Sequence, residues 1–358
     1  MKFGLMYEMQ APEPHTPATD HDLYNRVLDQ VELADQLGYD YAWAVEHHFL
    51  PEFARCPAPE VLFGAMSQRT KRIRIGHGVV LLPPEYNHPI RVAERIATLD
   101  VLTNGRVEFG TGRSSTLIEM NGFGVDPETT KEVWEEAVSI IPRMMMEDPF
   151  ECNGKFFKVP PRTIVPKVVQ KPHPPMWVGC TQPASFEGAG EKGLGALCFN
   201  IGAPEKLKER IDTYRAAAER AKPAGGVVNN QVAGFTIVHC AETDEEAVEN
   251  AAHHAMWFVQ QSQKLYQPWL DPEVHVPDSY KHMLSSEMST RMMKTVDEFI
   301  SEGTLCIGSP ETVINNIKRY EAIGLDQVLC LMQFGRLEHE KTMKSMRLVA
   351  EKVMPAFA

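Results

Sequence analysis

Short apolar runs, rich in β-branched and aromatic residues, recur eight times along this sequence, and each is followed by a segment with apolar residues at helical spacing. That alternation constrains the fold more than any other feature. A strand can reach a parallel neighbour only through a crossover, usually a helix, so strand–helix repeats build a parallel sheet. The runs begin at Lys2 (KFGLMYEM), Tyr41 (YAWAVEHH), Ile73 (IRIGHGVVLL), Val107 (VEFGTG), Met176 (MWVGCT), Gly195 (GALCFN), Val232 (VAGFTIVHCA) and Gln327 (QVLCLMQFG). Most are nearly continuous in apolar residues, as strands covered on both faces must be. Eight such units predict an α/β fold, a closed (β/α)8 TIM barrel.

Two of the intervening helices carry further marks. From Lys131 onward, Val133, Ala137, Ile140, Ile141 and Met144 make one apolar stripe, with Pro142 inside its second half. Ser309 before Pro310 supplies an N-cap hydroxyl and a proline at the first helical position, and Ile314, Ile317 and Tyr320 lead on to Gly324 as a C-cap.

Two segments exceed a minimal barrel. Residues 147–175, ahead of the fifth strand, hold several prolines and alternating apolar positions (Phe156, Val159, Ile164, Val168), which predict an inserted hairpin or extended excursion. Residues 263–305, following the helix after the seventh strand, contain Tyr266, Trp269, Tyr280, Met283, Met288, Met292 and Met293. An insertion after a barrel strand lies at the catalytic end, which makes this segment a candidate lid; an outer helical layer with no part in chemistry is the equal alternative. The chain from 1 to 358 is expected to be a single barrel domain carrying both insertions.

Composition excludes several classes. Hydrophobic residues make up 43% of the chain and charged residues 23%, close to the globular average. The formal charge of -12 is dispersed, so there is no clustered basic surface for nucleic acid. No basic segment followed by a long apolar one opens the sequence, and nowhere do about 18 apolar residues run together, so a soluble, cytoplasmic protein without a membrane segment is expected. Cys56, Cys152, Cys180, Cys198, Cys240, Cys306 and Cys330 form no CxxC pair, as expected of reduced thiols and not of a disulfide framework or a metal site.

In a TIM barrel the reacting groups sit at the C-terminal ends of the strands. The second run ends in Glu46-His47-His48-Phe49, where imidazoles beside a carboxylate suit proton transfer or anion stabilisation. Alternation lets only one of the two histidines point into the barrel mouth. The third run carries Gly76-His77-Gly78. Glycines inside a strand mark either close approach of a ligand, such as a stacked flat ring, or relief of crowding in the core. The fourth ends in Phe109-Gly110-Thr111-Gly112-Arg113-Ser114-Ser115, whose guanidinium, hydroxyls and backbone amides suit a phosphate. Without a full GxGxxG pattern, a mononucleotide is favoured over a dinucleotide. The fifth ends in Gly179-Cys180-Thr181-Gln182-Pro183-Ala184-Ser185 and opens a helix, so the two adjacent loops can grip one phosphate together.

Glu46-His47-His48-Phe49, the run from Ile75 to Pro83, the run from Leu99 to Arg106 with Phe109-Gly110-Thr111-Gly112-Arg113, and Gly308-Ser309-Pro310-Glu311-Thr312-Val313 together closely resemble the bacterial luciferase-like family of flavin-dependent monooxygenases. The resemblance spans nearly the whole chain and is weakest in residues 147–175 and 222–300. It implies a TIM barrel that takes reduced FMN from a separate flavin reductase and binds it at the C-terminal face. There, oxygen adds to give a flavin hydroperoxide, which passes one oxygen atom to a small organic molecule. By position, His47 is similar to the family's catalytic histidine. Arg113 is similar to its phosphate-binding arginine, with Thr181 and Ser185 as nearby hydroxyls and Gly112, Ser114 and Cys180 beside them. Gly78 and Val79 fall where the family often has a non-proline cis peptide next to the flavin ring. A homodimer through helices near the second and third strands is also implied.

Departures from the family pattern narrow this expectation. The light-emitting enzymes have a reactive cysteine where this chain has Gly112, so light emission from an aldehyde is not expected; they also have an acidic residue in the fifth-strand loop that is missing here, so different phosphate contacts are expected. Two alternatives share the barrel: a hydride-transfer oxidoreductase using a deazaflavin, and a non-catalytic flavin-binding relative. The methionines and aromatics of residues 263–305 point to an apolar or aromatic substrate.

Overall fold

All eight apolar runs form parallel strands of one barrel in a computed structural model, which describes residues 1–199, 202–284 and 294–358. In chain order the strands are β1 (Lys2–Tyr7), β2 (Tyr41–Ala44), β3 (Arg74–His77), β4 (Val80–Leu81), β5 (Val107–Gly112), β6 (Phe150–Asn153), β7 (Lys158–Arg162), β8 (Met176–Cys180), β9 (Gly195–Phe199), β10 (Val232–Cys240), β11 (Leu305–Gly308) and β12 (Gln327–Leu331). The barrel runs β1, β2, β3, β5, β8, β9, β10, β12, and it closes because β10 pairs with β9 and with β12 while β12 pairs with β1.

Three details differ from the sequence expectation. The run from Tyr41 leaves the sheet at Ala44, so Glu46, His47 and His48 lie in the loop beyond the strand. The run from Ile73 splits into β3 and β4 around the Gly78–Val79 peptide, which is cis, and the ladder resumes when Val80 pairs with Thr111. β11 belongs to none of the eight runs; it pairs with the C-terminal half of β10, Ile237 opposite Leu305, and so lies outside the closed ring.

The helices are α1 (Pro17–Leu37), α2 (Pro59–Arg69), α3 (Pro89–Thr103), α4 (Leu117–Phe123), α5 (Thr130–Met146), α6 (Pro183–Glu191), α7 (Lys208–Ala218), α8 (Asp244–Lys264), α9 (Val296–Ser301), α10 (Pro310–Ala322) and α11 (His339–Leu348). On α5 the apolar stripe is buried from Val133 to Met144, Pro142 included. Ser309 caps α10 with its hydroxyl on the Thr312 N–H, Val313, Ile317 and Tyr320 face the core, and Gly324 beyond the helix takes φ +87°. Residues 147–175 contain the antiparallel hairpin β6–β7, set between α5 and β8. Among the described residues no helix is long and apolar enough to cross a membrane.

Large side chains plug the barrel below its C-terminal mouth. Trp43 and Trp177 meet edge to face, with ring centroids 5.4 Å apart. Trp177 Nε1 donates to Glu108 Oε2 at 2.6 Å, and Arg74 donates to Glu108 Oε1. Gly76 is required here, because a Cβ on it would overlap the Trp43 indole. Of the two glycines that bracket His77, this one therefore serves core packing.

Candidate active site

Above that plug, a cavity of about 230 Å3 opens among the C-terminal strand ends. Met6, Trp43, Leu197, Phe235 and Leu329 form its floor, and Leu265, Tyr266, Tyr280 and Met283 reach over it from the segment after α8. His47, Gly78, Val79, Gly112, Arg113, Ser114, Cys180, Thr181 and Ser185 all line this one cavity, so the residues singled out from the sequence are brought together.

His47 stands at one end. Its Nδ1 lies 3.0 Å from Glu119 Oε1, which also accepts the His48 backbone N–H at 2.7 Å, while Thr116 donates its hydroxyl to Glu119 Oε2. Burial works against a charged ring, but the charge and hydrogen bond of Glu119, then the charges of Glu8 and Glu46, outweigh it and hold the His47 pKa up at about 9. At neutral pH His47 is therefore an imidazolium, and both ring nitrogens are donors. Burial likewise opposes ionisation of Glu119, yet His47 and the Thr116 and His48 donors pull it below the ordinary carboxylate range. Glu8, just past the end of β1, completes the group: its Oε2 is 4.0 Å from His47 Nε2. Burial pushes its carboxyl up to about 7; His47 restrains the rise and Glu119 adds to it.

His48 points elsewhere, although it lies in the loop and not on the strand that the alternation argument assumed. Its ring stacks on Tyr86 and meets the edge of Phe123, and its Nε2 lies 3.3 Å from Glu46 Oε1. Glu46 in turn accepts the Leu81 N–H and the Asn87 amide at 3.1 and 2.7 Å, tying the loop after β2 to the strand β4. His77 is also structural: it is buried against the edge of Phe63, and burial drives its pKa down to about 3.

One wall of the cavity is made of glycine. Gly78, Gly112 and Gly179 all face it, and a Cβ on Gly112 would sit 2.5 Å from Val79 Cγ2. A residue larger than glycine at 112 would therefore crowd Val79, which lines the same wall.

At the far end Arg113 donates to the Ser279 hydroxyl and carbonyl, both at 2.9 Å, and lies over the Tyr280 ring at 4.4 Å. Among the described residues no carboxylate lies within 4.0 Å of its guanidinium. The Thr181 hydroxyl is beside it, 3.3 Å from His282 Nε2. Ser185 is engaged in the first turn of α6, where its hydroxyl accepts the Thr181 and Gln182 N–H groups and donates to the Gln182 carbonyl at 2.6 Å. The Cys180 thiol is buried and pushed up to about 12, so what this position offers the cavity is backbone.

The segment after α8 docks firmly over this end. Trp269 and Tyr280 stack 4.8 Å apart, Trp269 Nε1 donates to the Ser115 carbonyl at 2.9 Å, and the Tyr280 hydroxyl reaches the Ser114 carbonyl at 3.1 Å. Met288, Met292 and Met293, also singled out from the sequence, lie outside the described residues. Sequence reasoning missed Glu8, Glu119, Ser279, Tyr280 as a partner of Arg113, and His282. Glu8 alone left a local signal, an acid at the end of the apolar run KFGLMYEM.

Residues 1–327 match the family described as luciferase-like monooxygenase, and the chain belongs to that family. Among its relatives, the oxygenase component of flavin-dependent trigonelline monooxygenase from Acinetobacter baylyi is 25% identical, with 100% of this chain and 96% of the relative aligned. Among solved structures, monooxygenase RslO1 from Streptomyces bottropensis superposes with a TM-score of 0.82 at 25% identity over 100% of both chains. The coenzyme F420-dependent tetrahydromethanopterin reductase from Methanopyrus kandleri shares the fold, with a TM-score of 0.70 at 19% identity over 100% of this chain and 99% of that one.

Proposed function

We propose that this protein is the oxygenase of a two-component system: it takes reduced FMN from a separate flavin reductase and inserts one atom of O2 into a small apolar or aromatic molecule. The observation that carries the reading is the polarity of one cavity, with the His47 imidazolium at one end, the Arg113 guanidinium at the other and a flat glycine wall between them. These residues fit a flavin mononucleotide. Gly78, Val79 and Gly112 offer a surface for a planar ring, while Arg113, Ser114 and the Thr181 hydroxyl suit a phosphate, with Cys180 and Ser185 lining the same cavity. When bound, reduced FMN supplies the electrons that activate O2.

The chain's own residues do the rest. Arg113 is held by neutral partners, so a phosphate dianion gains a charge-assisted pair without breaking an existing ion pair. His47, oriented by Glu119, holds a proton at Nε2 facing the cavity and stabilises negative charge that develops there. Leu265, Tyr266 and Met283 cover the mouth as a lid that excludes water. The relative from Acinetobacter baylyi, named as a flavin-dependent oxygenase component, supports both the flavin and the separate reductase. The F420-dependent neighbour supports the fold alone. The presence of both His47 and Arg113 argues against a non-catalytic relative. The resemblance to the family supports a homodimer through helices near the second and third strands, which light scattering would read.

The test couples the protein to a flavin reductase and follows products formed under isotopically heavy oxygen. Oxygenated product should carry one heavy atom, and His47→Ala should slow its formation by roughly 100- to 10,000-fold while reduced-FMN affinity stays nearly unchanged. Unaltered turnover in His47→Ala would remove the residue from the chemistry.

A further inference from the structure

One feature of the cavity is not needed to hold a flavin. Glu8 is only 3% exposed, lines the cavity, and its Oε2 has no hydrogen-bond partner among the described residues. A buried carboxylate in that condition is costly unless a donor is brought to it. Its near neighbour does not supply one, because 4.0 Å from His47 Nε2 to Glu8 Oε2 is too long for a hydrogen bond. The separation suits a single oxygen atom placed between them, at ordinary hydrogen-bond distance from each.

The chemistry on either side specifies that atom. His47 Nε2 presents a proton and Glu8 an acceptor, so the atom between them must accept and donate at once. A carbonyl or an ether oxygen only accepts, and an ammonium only donates. A carboxylate would face Glu8 and Glu119, and a cation would face His47. A neutral hydroxyl meets both demands, either of a water or of a ligand that displaces it. The walls around the gap are aromatic: Phe53 meets the His47 ring edge at 5.7 Å, and Trp43, Phe235 and Tyr266 line the same space.

We infer that the substrate of the proposed oxygenase is a phenol, whose hydroxyl sits between His47 and Glu8 and loses its proton to Glu8. The inference rests on the reading of this cavity as the oxygenation site. In the proton transfer the phenol O–H bond breaks and an O–H bond forms on the Glu8 carboxylate. The electron pair stays on the ring oxygen, where the His47 Nε2–H donates to it. The phenolate is more electron-rich than the phenol, which favours attack on an electrophilic oxygen atom. Glu8 is suited to this exchange because burial holds its carboxyl at about 7, so it can be ionised before the transfer and keep the proton after it.

The test uses a matched pair, 4-methylphenol and its methyl ether 4-methylanisole, titrated anaerobically into the protein with and without reduced FMN. The phenol should bind at least roughly ten-fold tighter than the ether, the value of one charge-assisted hydrogen bond. The bound phenol should also show the near-ultraviolet band of a phenolate, and Glu8→Gln should abolish that band. Equal affinity for the two ligands, or a phenolate band that survives in Glu8→Gln, would overturn the inference; the first comparison needs no variant, and circular dichroism confirms that Glu8→Gln is folded. Reduced-FMN affinity is read in the same titrations. Failure of the protein to bind the flavin would sink the flavin reading, whereas flavin binding without discrimination between the two ligands would sink this one.

Discussion

Glu108 and Glu8 are both carboxylates buried inside the barrel, one toward each end, and the molecule treats them differently. Glu108 accepts from Arg74 and from the Trp177 indole, and its network is complete. Glu8 has an oxygen with no partner among the described residues, and at the same C-terminal end Arg113 faces a serine and a tyrosine in place of an acid. Both ends hold buried charge. Where the charges are paired they fix the structure, and where they are left open they await something from outside.

That difference can be broken at either end. The largest effect should come from Arg74→Met, which strands the Glu108 carboxylate and should cost about 3 kcal/mol of unfolding free energy, seen as a lower urea midpoint at unchanged slope. An unchanged midpoint would mean that the lower network contributes nothing. Next, Arg113→Ala should weaken reduced-FMN binding by about 1.5–3 kcal/mol while leaving the urea midpoint almost in place. Equal affinity in the variant would take Arg113 out of the site. Glu8→Gln should move the midpoint by less than about 1 kcal/mol, because relief of the desolvation of Oε2 is offset by loss of its attraction to His47. A large loss of stability would show that Glu8 has a partner in the folded chain.

His47 adds a pH dependence at the same end. The His47 pKa is raised from 6.5 to about 9 on folding, so its contribution to stability is fully present below 6.5 and is lost as pH rises through 9. The unfolding free energies of the wild type and His47→Gln should converge across that window. A constant gap between them from pH 6 to 10 would contradict the imidazolium assignment.

The barrel was legible because parallel strands covered on both faces must be apolar along their length, and the eight runs announce themselves. β11 was not, since four residues between α9 and Ser309 carry too short a pattern to separate from the segment before them. The paired glycines of the third run held two readings; Gly76 makes room for Trp43, which is the packing one, while Gly78 lines the cavity. His47, Gly112 and Arg113 were found because barrel strands deliver side chains to a known end. Their partners were hidden for the same reason that makes them informative. Glu119 is 72 residues from His47 and Ser279 is 166 from Arg113, and neither sits in a periodic pattern that marks it. Only folding brings them together.

On the proposed reading, the open charges of the C-terminal end hold a flavin mononucleotide. Anaerobic titration of the protein with reduced FMN and, separately, with the reduced deazaflavin F420 tests it most directly. Reduced FMN should bind saturably and more weakly in Arg113→Ala, and the bound flavin's electrons should be consumed when oxygen is admitted. Tight binding of F420 together with indifference to FMN would contradict it.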